Sequence, residues 1–179
     1  MKTIRKTNSL SLITLLAMGA TMTLPALADD LKAYADQAIL DFKGADPSMQ
    51  KLFDKSAGYA VFPQVGKGGL FVGAEHGNGV VYAKGQPVGE AELTEVNVGA
   101  QAGGEVFDEV IFFKNKRALK DFEASNWEMS AQVNAVAAAE DAAQTAKYTE
   151  GVAVFTLPKS GLMVQATVGG QKFDYTPNE

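Results

Sequence analysis

Residues Ser56 to Val81 read SAGYAVFPQVGKGGLFVGAEHGNGVV. Glycines at positions 58, 66, 68, 69, 73, 77 and 79 punctuate short β-type runs at Tyr59–Phe62, Leu70–Val72 and Val80–Tyr82. Glycine inside strands admits bulges and lets one backbone approach another closely. Glycine at this density predicts a sheet that is sharply curved or closely packed. A phosphate loop is excluded: the Gly-x-x-x-x-Gly-Lys-Ser/Thr pattern is missing, and nothing after Gly79 reads as a helix facing an anion.

Downstream the strand signal continues. Gly69 to Glu75 and Gly79 to Lys84 suggest a hairpin across His76-Gly77-Asn78, and Gln86-Pro87-Val88-Gly89 a turn. Strands are expected over about 91–101 and 105–114, with Gly103-Gly104 turning between them. Phe107, Val110, Ile111, Phe112 and Phe113 read as a strand buried on both faces. Asn115 caps a helix to Ala124, with Ala118, Leu119 and Phe122 on one face. Residues 127–136 alternate like a strand although their alanine content favours helix; helix or loop follows from 137 to 147. Strands over 148–157, 161–168 and 171–175 are separated by Pro158-Lys159-Ser160 and Gly169-Gly170.

Upstream, Leu31, Tyr34, Ala35, Ala38, Ile39 and Phe42 form one helical stripe over Asp30 to Lys43. Its polar face mixes Asp36 and Asp41 with Lys32 and Lys43, which suits core packing better than a strongly basic interfacial helix. Asp46-Pro47 starts a short second helix that carries Met49, Leu52 and Phe53 inward. The expected fold is α+β: N-terminal helices on a strongly curved, mainly antiparallel, glycine-rich sheet, with closure toward a barrel left open.

The first 28 residues stand apart. Lys2, Arg5 and Lys6, the apolar run Leu10 to Met18 and the small-x-small Ala26-Leu27-Ala28 make a secretory signal, with cleavage expected after Ala28. The alternative, an uncleaved anchor, is disfavoured because the run falls short of the roughly 20 residues that span a bilayer. One domain is expected over 29–179, in a bacterial periplasm. No cysteine occurs, so disulfides, thiolate metal sites, cysteine nucleophiles and a lipidated N-terminal cysteine are excluded. Without Lys2, Arg5 and Lys6, 13 basic side chains face 21 acidic ones, a net charge of −8 that argues against nucleic acid.

Little of the chain reads as catalytic. His76 is the sole histidine and sits between glycine-rich segments, as a solvated turn residue would; no metal ligand set forms around it. Gly-x-Ser-x-Gly is missing, and Ser56, Ser125, Ser130 and Ser160 stand in no nucleophile context. Glu105, Asp108 and Glu109 could in principle do acid–base work, but Asp108 reads better as a turn or buried hydrogen-bond residue. Neither catalytic residues nor a cofactor are expected. The basic run Lys114, Lys116, Arg117 and Lys120 is unusual in so acidic a chain, and cations at a helix N-terminus oppose the macrodipole. Phosphate headgroups are one explanation and a solvated face balanced by Asp121 and Glu123 the other. Lys67 would join the run only if the fold brought it close.

Several blocks carry a family resemblance. Ala57-Gly58-Tyr59-Ala60-Val61-Phe62-Pro63, Lys67-Gly68-Gly69 and the glycines at 73, 77 and 79 before Val80 resemble the opening signature of the SYLF domain. Val98 to Gly104, followed by Asp108 and Val110 to Phe113, is similar to the second block of that family. Arg117-Ala118-Leu119 with Phe122, and Lys159-Ser160-Gly161-Leu162, resemble later ones. The resemblance implies lipid binding. Eukaryotic relatives bind phosphoinositides and, in some proteins, actin filaments, and neither partner fits a periplasm. What transfers is affinity for phospholipid or another amphiphile through peripheral contact with an envelope membrane. The alternative is a structural or stress-related module that binds an envelope protein.

Overall fold

The computed structural model describes residues 25–124, 127–129 and 135–178. The expected signal segment therefore lies almost wholly outside the described residues, as does part of the alanine-rich stretch. Helix α1 (Pro25–Ala45) leads through a 3-10 turn (Pro47–Met49) into α2 (Gln50–Lys55). Strands β1 (Gly58–Ala83) and β2 (Gln86–Phe113) follow, then α3 (Lys116–Glu123), β3 (Trp127–Glu128), β4 (Ala135–Ala137), α4 (Ala142–Thr145) and β5 (Val152–Pro177). The sheet order is β1-β2-β5-β3; β4 runs parallel to β5, and every other pairing is antiparallel. The result is a strongly curved mixed sheet, a half-barrel, with few helices. The expected N-terminal helices are present, but sheet dominates.

The expectation of many short strands is corrected: there are three very long ones. The 26 residues of β1 would reach about 85 Å if straight, so β1 must bend. Val65 and Gly77 lie together, as do Phe62 and Gly79, and these pairs centre on residues 70–71. There β1 folds back, with an irregularity between Leu70 and Val72 and Phe71 at φ 65°. The opposed residues of β2 (Leu70↔Ala102, Val72↔Val98) and of β5 (Val98↔Val168, Ala102↔Val164) bend over the same crest. His76-Gly77-Asn78, Gly103-Gly104, Pro158-Lys159-Ser160 and Gly169-Gly170 all lie inside strands. The real turn between β1 and β2 is Lys84-Gly85, both at positive φ, rather than Gln86 to Gly89.

Glycine is needed where the two legs of β1 meet. A Cβ at Gly79 would stand 2.5 Å from Phe62 Cδ1 and 2.7 Å from Val61 O. The gaps left by such glycines let the sheet curl until its own backbone is in contact.

Along the stretches Tyr59–Phe62, Val110–Phe113 and Val152–Phe155 both faces are buried, and the period of two sorts the side chains, whereas across the other leg one face is open to solvent, as at His76 and Glu92. Ala60, Phe62, Ile111, Phe113, Val152 and Val154 face the concave interior, where Leu93, Phe173 and the Leu119 and Phe122 face of α3 complete the core. Tyr59, Val61, Val110, Phe112, Ala153 and Phe155 face outward, under Ala35, Ala38, Ile39 and Phe42 of α1 and Phe53 of α2. Of the expected α1 stripe, Tyr34 departs and stands exposed. Helix α1 is latched at two further points: Tyr82 Oη donates to Asp36 at 2.9 Å, and Lys159 Nζ reaches Asp41 at 2.6 Å. Both expected caps are present. Asn115 Oδ1 accepts from the Arg117 and Ala118 amides at 3.0 Å, and Asp46 Oδ1 from the Ser48 amide at 2.9 Å.

Candidate functional site

At the end of the half-barrel away from the crest, an open groove of about 760 Å³ runs between α2, the end of β2 and α4. Three cations line it, Lys51 and Lys55 from α2 and Lys114 from the exit of β2, with Pro47, Leu52, Ala143 and the ring of Tyr148 as apolar surface. Lys51 and Lys55 are four residues apart and so share one side of the short helix. Lys114 Nζ stands 5.8 Å from the centre of the Tyr148 ring, and Tyr148 Oη lies 3.3 Å from Ser56 Oγ. Asp54 is the one carboxylate among the described lining residues, and it accepts a hydrogen bond from Gln50 at 2.7 Å.

The α4 wall is held by a buried carboxylate. Asp46 Oδ2 accepts from the Ala143 amide at 2.8 Å while its other oxygen caps the 3-10 turn. Burial pushes this carboxyl up, but the hydrogen bonds from Ala143 and Ser48 outweigh it and leave the group below its ordinary value. Asp46 thereby ties two walls of the groove, Pro47–Lys55 and Ala143–Gln144, to each other.

Of the sequence-expected lipid contacts, Lys114 lines the groove, while Lys116, Arg117 and Lys120 lie exposed on α3, which packs on the other face of the sheet from α2 and α4. Arg117 makes an i,i+4 pair with Asp121 at 3.7 Å, so the helix partly balances its own charge. Lys67 does not join them. It pairs with Glu75 in a nearly buried position, nine residues or about 30 Å up the strand from Gly58, which pairs with Phe113. Lys51, Lys55 and Tyr148 were missed by the sequence reading. The i,i+4 lysines were a visible signal; their convergence with Lys114 was not.

The acidic cluster is split by the sheet. Asp108 is buried, accepts from the Gln64 amide at 3.0 Å and pairs with Lys159 at 3.0 Å. It therefore fixes the β1 bulge, as a buried hydrogen-bond residue was expected to do. Glu109 points into the interior beside Gln171, whose Nε2 donates to it at 3.0 Å. Burial pushes the Glu109 carboxyl up to about 8; the Gln171 hydrogen bond opposes the shift, and the charges of Glu75 and Glu95 add to it. His76 has an exposed side chain 3.6 Å from Glu92, within a strand rather than the expected turn. Among the described residues, no group of three or more metal-ligating side chains converges and no helix is long and apolar enough to cross a membrane.

Fold and groove together define a sheet-dominated half-barrel domain with a cation-lined surface site. Residues 94–178 match the family described as "Ysc84: Las17-binding protein actin regulator", the SYLF domain that the motifs of the chain resemble. Among curated proteins it is similar to Beta cell expansion factor A of Aeromonas veronii, 32% identical over 146 residues, covering 80% of this chain and 55% of that protein. The chain thus spans about half the length of that relative.

Proposed function

We propose that this protein is a non-catalytic periplasmic lipid-binding domain that recognises phospholipid at an envelope membrane. One observation carries the reading: in an acidic chain, Lys51, Lys55 and Lys114 converge on a single groove beside the apolar Leu52 and the ring of Tyr148. Cations with nearby apolar surface are the chemistry that an anionic phosphate headgroup and its first methylenes require. Lys116, Arg117 and Lys120 follow Lys114 within six residues and add exposed positive charge on α3.

The test is liposome flotation with phosphatidylcholine alone and with phosphatidylglycerol added. Added anionic lipid should strengthen binding, salt should weaken it, and Lys51→Ala, Lys55→Ala and Lys114→Ala combined should lower the anionic increment about tenfold. Equal binding by wild type and the triple variant would move the headgroup site elsewhere. No binding to any mixture would sink the lipid reading and leave an envelope protein as the partner.

A further inference from the structure

The crest of the folded sheet lies at the end opposite the groove, and it is apolar and exposed. Leu70, Phe71, Val72, Val96 and Val98 are each 59–69% exposed. Val72 opposes Val98 in register, and Val96 lies two residues along the same strand, so these side chains form one patch. Exposed apolar clusters of this kind mark contact surfaces in soluble proteins.

The distribution of charge points to the occupant. No charged residue occurs in 68–74 of β1, in 96–104 of β2 or in 160–171 of β5. The charges stop at one level on all three strands. Lys67 opposes Glu105, which opposes Gly161, and Glu75 opposes Glu95, which opposes Gln171; Lys67 and Glu75 pair with each other in a nearly buried position, so the solvent-facing boundary is drawn by the half-buried Glu95 and Glu105 and by Lys159 and Lys172. A protein partner would meet a polar rim within the patch; three adjacent strands that all lose charge at one height match a planar hydrocarbon boundary instead. Phe71 adds a second observation. It is an aromatic residue held at φ 65° with its side chain in solvent, a backbone state uncommon for such residues and kept where the surroundings impose it.

We propose that this crest is a membrane-insertion tip that seats Leu70, Phe71, Val72, Val96 and Val98 among the acyl chains of one leaflet. The proposal rests on the lipid-binding reading but uses a different surface from the groove. From the Lys67 level to Leu70 is three residues, about 10 Å of strand, against about 15 Å for half a hydrocarbon core. Insertion is therefore limited to one leaflet. Backbone pairing agrees with a shallow depth: β2 is paired on both sides at the crest, whereas among the described residues β1 pairs with β2 alone, and a free strand edge is excluded from deep hydrocarbon.

The chain has no cysteine, so one introduced thiol reports one position. The purified protein carrying Val98→Cys, labelled with an environment-sensitive nitrobenzoxadiazole dye, is mixed with phosphatidylcholine vesicles. Label at Gln86→Cys, near the β1–β2 turn, serves as reference. The expected result is a blue shift and a several-fold emission rise at 98, quenched by doxyl-labelled lipid, with neither at 86. Leu70→Ser with Val98→Ser should weaken vesicle partition by about tenfold or more, with circular dichroism unchanged because both side chains are exposed. The Lys51, Lys55 and Lys114 triple variant should retain the response at 98. A silent label at 98 on protein that floats with vesicles overturns the crest and leaves lipid binding standing. Failure to float with any composition overturns both. A response at 98 without lipid, accompanied by a dimer, assigns the patch to a second copy and overturns the insertion tip.

Discussion

Glu109→Gln should remove a pH dependence of stability that the wild-type protein shows near neutrality. The Glu109 carboxyl is buried and its pKa stands at about 8, against an ordinary 4.5. Between those values the folded state holds a proton that the unfolded state releases. Unfolding therefore becomes easier as pH rises, by about 1.4 kcal/mol per pH unit, until the folded group ionises near pH 8. From pH 5.5 to 7.5 the loss is about 2.7 kcal/mol, or roughly 5–10 °C in melting temperature for a chain of this size. Asp41 and Asp46, whose pKa values are lowered, stay ionised in both states across this window and contribute no slope. In the variant, the amide oxygen can accept from Gln171 Nε2 in place of the carboxylate. Urea unfolding at pH 5.5, 6.5 and 7.5, followed by Trp127 fluorescence, measures both slopes. The wild-type midpoint should fall with pH at constant m-value while that of the variant stays level. Equal slopes in the two proteins would refute the assignment of a neutral Glu109.

Three further outcomes follow from the packing. Asp46→Ala removes a cap and strands the Ala143 amide, so it should cost about 2–3 kcal/mol in urea unfolding and weaken anionic-vesicle binding by loosening the α4 wall. Lys159→Met leaves the buried Asp108 carboxylate with the Gln64 amide as its remaining close donor among the described residues and cuts the tie of Asp41 in α1 to the sheet, leaving Asp41 its bond from Gln37. About 1–3 kcal/mol should be lost, and hydrogen exchange should accelerate in α1 more than in β2. Gly79→Ala drives a Cβ into Phe62 and the Val61 carbonyl where the legs of β1 touch. It should lower stability by at least about 1–3 kcal/mol, and a wild-type melting curve would show that the legs are not in contact.

The parts of this fold governed by local rules were readable from sequence. Asp46-Pro47 and Asn115 mark helix starts because a side-chain oxygen beside free amides acts within three residues. The run Phe107 to Phe113 reads as doubly buried because its apolar residues fall on both alternating faces. Strand ends were not readable, because glycine has two uses. Gly77, Gly103 and Gly170 look like turn residues, yet here they let a strand bend without ending. The actual turn puts a lysine, Lys84, at positive φ, which composition does not announce. Site legibility divides in the same way. Lys114 was visible in its basic run, but its companions Lys51 and Lys55 precede it by some sixty residues and arrive by sheet pairing. Lys67 is neutralised by Glu75 across the crest. The exposure of Leu70 and Val98 was invisible for a simpler reason: residue type says nothing about which side of a bend an apolar side chain occupies.

Strands that run unbroken over the crest also restrict how this gene can change in length. Inserting one residue at Gly68 would turn every later side chain of β1 to the opposite face, exchanging Val81 with Tyr82 and Gly77 with Asn78 against their partners. Such a change survives only if it is absorbed as a new bulge or matched by insertions in β2 and β5. Lys84-Gly85, at the open end and outside every pairing, carries no such restriction. Among relatives, length variation should therefore collect at that turn and spare the crest, which any alignment can check by counting gaps.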